Sequence, residues 1–230
     1  MQSNDEYTSY LNFVEEHYPF SSMVKANSEN KFREIVTNSL KAIKILEVCN
    51  SHEQIHEDIK ILTDDLKMYL LRLLYILPTN DYFFVDTLLS SISENLLRIA
   101  YKIAFPTESV ESIKKLNHKK IWKEGIKTNA IYKDHNEILT GINRIFGDKS
   151  STVHSTQKDY DNQVDYLINL MRKETKMSLR KLNSDIKVVY NFLSHDLLSL
   201  LHINETNLTL QQSIVLKKVT KQGRLKGLIR

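Results

Sequence analysis

The stretch "DYFFVDTLLSSISENLLRIAYKIAF" (residues 81–105) decides the fold class. Phe84, Leu88, Leu89, Ile92, Leu96, Leu97, Ile99, Ala100 and Ile103 recur at helical spacing and wrap round more than one side of the helix they imply. A helix that is apolar on so many sides is packed on so many sides, so this one belongs at the centre of a bundle. Asp81 is placed to cap its start, and Pro106 lies just beyond its end.

The flanking segments repeat the pattern. Upstream, "SENKFREIVTNSLKAIKILEVC" (28–49) and "SHEQIHEDIKILTDDLKMYLLRLLYIL" (51–77) each carry one apolar face, and Pro78 stops the second. Residues 1–26 read as a short aromatic helix followed by a loop near Pro19 and Ser21. Downstream, residues 107–135 are more polar and predict shorter helices, anchored to the core by Trp122. "HNEILTGINRIFGDKSSTVHS" (135–155) predicts a helix to Phe146, a break at Gly147–Asp148 and a new helix start at Ser150 or Ser151. The region 162–203 predicts one or two long helices, with His195, Asp196 and His202 beside an apolar run. The expected architecture is all-α: an N-terminal segment 1–26, a single helical-bundle domain 27–210 and a basic tail 211–230.

Composition agrees. Three prolines and five glycines in 230 residues leave little material for tight hairpins, which a many-stranded sheet would need. The single cysteine, Cys49, allows no internal disulfide framework and no cysteine-rich zinc site. With a polar N-terminus that lacks a signal-peptide core, this points to a cytoplasmic chain. No apolar run reaches the ~18 residues of a membrane span, and there is no glycine-rich phosphate loop. Net charge is +4. After Glu205 there is no acid, while Lys217, Lys218, Lys221, Arg224, Lys226 and Arg230 follow, so the tail can touch a nucleic acid or an acidic partner.

Two constellations bear on function. His52, Glu53 and His56 spell H-E-x-x-H, which on a helix places two histidines on one face for zinc, with the glutamate as general base. Here, however, Ser51 and Gln54 have the spacing of a capping box, and Glu57 and Asp58 follow directly. The stretch therefore reads as a polar helix start, with a zinc-dependent hydrolase using His52 and His56 as the minor alternative. The second constellation is "SSISENLLRIAYKIAF" (90–105) with "INRIFGDKSSTVHS" (142–155).

Together these two pieces resemble the HEPN superfamily of helical domains. The resemblance implies a homodimer that binds or cleaves RNA without a metal or other cofactor, in prokaryotic phage defence or a toxin system. It implies catalytic roles for Arg98 and His154, with Asn95, Arg144, Ser151 and Ser155 holding RNA phosphates. Ser151 and Ser155 would do so near the helix start expected there. The chain departs from the family in lacking the usual R-x4–6-H spacing: Arg144 lies ten positions before His154. That departure favours the alternative of a non-catalytic helical module that holds a protein partner. Arg98 also has a purely structural reading, as an ion pair with Glu94 four residues back.

Overall fold

The computed structural model describes residues 2–21, 30–154 and 178–220, and every element among them is helical. Helix α1 spans Gln2–His17, α2 Asn30–Ser51, α3 Glu57–Ile76, α4 Tyr82–Ala104 and α5 Val110–Lys115. A π-helical stretch, Lys120–Ile126, and a 3-10 turn, Ala130–His135, lead into α6, Asn136–His154. Helix α7, Leu179–Asn191, runs on through a π turn, Phe192–Leu197, to Leu200, and α8 spans Leu210–Val219.

The helix of residues 81–105 is the centre its pattern calls for. Helix α4 packs against α3 on one side and α6 on the other. It buries Val85, Leu89, Ile92, Leu96, Leu97, Ile99 and Ala100. Each leucine-sized side chain withdrawn from water contributes about 1.5–3 kcal/mol before chain entropy is set against it. Phe84, counted with the apolar wrap, instead lies exposed at the first turn. Asp81 caps the helix, accepting hydrogen bonds from the Phe83 and Phe84 amides at 3.1 and 3.2 Å.

Helix α2 forms the second hub. Phe32, Ile35, Val36, Ala42, Ile43, Leu46 and Cys49 lie buried, and α1, α3, α7 and α8 all pack against it. Polar contacts fix the pairing with α7, where Glu34 accepts from Asn183 and Lys187, each at 2.6 Å. Tyr190 Oη donates to the Val219 carbonyl at 2.6 Å and ties α7 to α8.

Four sequence expectations change. The start at Ser51 is absent: Ser51 is the last residue of α2, and His56 caps α3 by accepting from the Asp58 amide at 3.2 Å. The capping box forms elsewhere, between Thr209 and Gln212, and Gln212 Nε2 also donates to Ser51 Oγ at 3.0 Å. The break at Gly147–Asp148 is likewise absent, and α6 runs unbroken to His154. A glycine inside a helix costs only about 1 kcal/mol, and buried Ile145 and Lys149 hold the helix on either side of it. Finally, the segments expected to flank the domain belong to it. Helix α1 buries Tyr7 and Val14, and α8 buries Leu216 and Val219, so the basic tail expected from residue 211 starts later. Residues 221–230 lie outside the described residues.

Candidate functional site: a trough between two helices

Helices α6 and α7 run side by side and enclose two adjoining hollows that share Arg144. The first, about 470 Å³, lies between Glu137, Thr140 and Gly141 of α6 and Val188 and Asp196 opposite. The second, about 370 Å³, lies between Asp148 of α6 and Arg180, Lys181, Ser184 and Asp185 at the start of α7. Residues 137, 141, 144 and 148 are one face of α6 at helical spacing, so the hollows form a single trough about 16 Å long at 1.5 Å per residue. The helices approach closely at Gly141, where a β-carbon would stand 3.3 Å from Val188 Cγ1.

At one end of the trough, His135 Nδ1 lies 2.6 Å from Asp196 Oδ1, with both side chains largely buried. This is a carboxylate-oriented imidazole. Asp196 favours the tautomer in which Nδ1–H donates to its carboxylate, and Nε2 then carries the free lone pair. Asp196 also lines the first hollow, as does Asp134 beside His135. His195, adjacent in sequence, lies 3.7 Å from Asp196 and is mostly exposed, and His202 falls beyond the helix end in the left-handed region (φ 54°). At the other end the charge is basic. Among the described residues, Arg144 and Arg180 pair with no carboxylate, and Lys181 lies 3.5 Å from exposed Asp148. Arg144 lines both hollows, and its charge helps to lower the Asp185 carboxyl at the basic end.

A buried strut holds the trough's wall. Lys149 Nζ lies 2.6 Å from Asp86 on α4 and 3.6 Å from Asp185 on α7. Burial pushes the Asp185 carboxyl up, against the pull of Lys149 and Lys181.

The other expected residues are placed as follows. Arg98 pairs with Glu94 at 2.8 Å and donates to the Lys114 carbonyl at 3.3 Å, so its guanidinium braces α4 against α5, as its structural reading holds. Asn95 is buried on α4 with its Oδ1 unpaired. Ser151 and His154 lie in the last turn of α6, so the serine stands at no helix N-terminus; their side chains, and all of Ser155, lie outside the described residues. His52 lies in the turn between α2 and α3, and its Nδ1 accepts from the Gln54 amide at 3.3 Å. His52 and His56 thus share no helix face, and among the described residues no three histidine, cysteine or carboxylate side chains gather around a metal position. Cys49 is fully buried, and that burial pushes its thiol up to about 12.

Sequence reasoning passed over His118. It stacks on Phe146 of α6 with ring centroids 3.9 Å apart. Asn143 sits beside it, short of a full hydrogen bond, since His118 Nδ1 and Asn143 Oδ1 are both buried and unpaired. Burial lowers the His118 pKa, while Asn143 and Glu94 oppose the shift. Below pH ~6.5 the unfolded chain therefore takes up a proton that the folded chain resists, and stability falls as pH falls toward the folded value. We expect His118→Phe to flatten this loss below pH ~6.5 in urea-unfolding titrations. An unchanged profile would show that another group carries it.

No protein-family model, curated protein or solved structure matches this chain. No helix among the described residues is long and apolar enough to cross a membrane.

Proposed function

We propose that this chain binds single-stranded RNA in the trough between α6 and α7 and cleaves it without a metal. The observation that carries the reading is that one hollow is lined by both Arg144 and Asp196, the carboxylate that holds His135 at 2.6 Å. The HEPN resemblance supplied Arg144 as a phosphate contact, and this reading keeps it. It replaces the Arg98–His154 pair, because Arg98 is occupied by Glu94 and the Lys114 carbonyl.

The chemistry follows from the positions. Arg144, Arg180 and Lys181 hold backbone phosphates at the basic end. Glu137 and Asp134, at the other end, suit ribose hydroxyls and exocyclic amines, which are donors. His135 Nε2 takes the proton from a ribose 2′-hydroxyl, and the 2′-oxygen attacks the adjacent phosphorus. The charge that develops on the phosphoryl oxygens is met by the Arg144 guanidinium. The P–O5′ bond breaks, the 5′-oxygen takes a proton from water, and a 2′,3′-cyclic phosphate remains.

A labelled RNA oligonucleotide tests both halves. Arg144→Ala with Lys181→Ala should weaken binding and lower the log–log salt slope by about 0.7 per lost contact. In EDTA, the wild-type chain should cut RNA, and His135→Ala should lose about 100-fold or more of the rate with affinity retained. Asp196→Asn, which changes a residue that acts through His135, should lower kcat and leave RNA affinity alone. Binding without cleavage would overturn the catalytic half alone; absence of binding at low salt would overturn the whole reading.

A further inference from the structure

Helix α3 turns Ile59, Leu62, Leu66, Leu70 and Leu73 into the core, yet its opposite face is also apolar. Ile61, Met68, Leu71 and Tyr75 stand 43, 47, 42 and 61% exposed. Ile61, Met68 and Tyr75 follow each other at seven-residue intervals, so they form one seam along the helix rather than a scatter of single exposures. Beyond Tyr75, the Leu77–Thr79 turn leads to Phe83 and Phe84, which are also exposed.

The charges in this seam specify what covers it. The sequence is symmetric about Met68: Ile61 and Tyr75 lie seven residues to either side, and Asp64 and Arg72 lie four to either side. A two-fold axis through Met68, perpendicular to the helix, sets an antiparallel copy of α3 against the first. Ile61 then meets Tyr75 of the second copy, and Met68 meets its own counterpart. The acidic pair Asp64 and Asp65 faces Arg72 of the second copy. The acids have lysines of their own, with Lys67 3.2 Å from Asp64 and Lys114 2.7 Å from Asp65. Arg72 pairs with no carboxylate among the described residues, and the antiparallel copy supplies one. A parallel arrangement would instead place aspartate on aspartate and arginine on arginine. Self-complementarity of one patch is what a closed two-fold dimer requires.

We infer that this face of α3 is the interface of a homodimer, closed antiparallel about Met68. A 20-residue helix is about 30 Å long. Two such faces provide the apolar centre of a small specific interface, a class that buries about 1,200 Å² or more in total. A homodimer is also what the HEPN resemblance implies; the surface assigned to it rests on a different helix from the RNA trough and on surface charge.

Light scattering after size exclusion, at concentrations up to about 100 µM, tests it. The wild-type chain should run at twice the 26.9 kDa chain mass. Arg72→Asp should weaken the dimer about tenfold or more by facing like charges. Asp65→Arg combined with Arg72→Asp should restore it. Asp65 is chosen for the swap because Asp64 also bonds Asn50 inside the chain. Met68→Cys should give a disulfide-linked dimer on mild oxidation; the native Cys49 is fully buried, so the new thiol alone reports. All the substituted positions are at the surface, and far-UV circular dichroism confirms that each variant is folded. A folded wild-type chain that is monomeric throughout the range overturns the inference. So does an Arg72→Asp variant that dimerises like the wild type, a charge swap that restores nothing, or a Met68→Cys variant that does not cross-link.

Discussion

Replacing Lys149 with alanine should remove about 3–5 kcal/mol of stability, the largest loss expected from any single charge among the described residues. The side chain is 8% exposed, and its ammonium lies between two carboxylates, Asp86 at 2.6 Å and Asp185 at 3.6 Å. Deleting it leaves both acids in a site that has already pushed Asp185 toward its neutral form. A fall of that size should lower the unfolding temperature by roughly 10 °C in a chain of this length. Combining Lys149→Met with Asp185→Asn should recover part of the loss, because one of the two orphaned carboxylates is neutralised while the packing volume is kept. A loss under about 1 kcal/mol in urea titrations would mean that the strut is solvated and that α4, α6 and α7 are held by apolar contacts alone.

Lys102→Met comes next. The Lys102 ammonium is 3% exposed and donates to Asp58 Oδ2 at 2.6 Å and to the Pro106 and Glu108 carbonyls at 2.8 and 2.5 Å. It thus joins the first turn of α3 to the C-terminal end of α4 and satisfies two carbonyls of the loop that follows α4. Methionine fills the same space but donates nothing, so a loss of about 3 kcal/mol is expected from three orphaned acceptors. The variant also has a pH signature. The bond from Lys102 holds the Asp58 carboxyl below its ordinary value, against the effect of burial. Its contribution is therefore present above pH ~3.8 and lost as pH falls through the lower folded value. In Lys102→Met that acid-side slope should shrink, and an unchanged slope would show that Asp58 owes nothing to Lys102.

These struts also explain what could be read in advance. The breadth of the apolar wrap on α4 was sufficient to place it centrally, because periodicity and burial are set by the same residues. Asp81 and Pro78 acted locally, as caps and breaks do. The turn at Gly147 failed as a reading because a local preference worth about 1 kcal/mol was overridden by tertiary anchors on either side of it, among them Lys149. The start at Ser51 failed for a related reason: the serine hydroxyl is used by Gln212, which is 161 residues away. His135 and Asp196 are separated by 61 residues, and Asp196 sits in a π turn that a period of 3.6 does not describe. Arg144 was visible as a cation in a motif, but its neighbours across the trough were not.

The second hub, α2, has a consequence for how the chain is made. Its partners α7 and α8 come from the far end of the sequence, with contacts such as Asn183 to Glu34 and Gln212 to Ser51 spanning 149 and 161 residues. At roughly 5–20 residues per second, a ribosome needs about ten to thirty seconds to add the residues between Ser51 and Val219. Until α7 has emerged, the main partners of α2 already made are α1 and α3. Closure of the bundle is therefore a late event, set by the release of the last helices rather than by the order in which the first ones emerge.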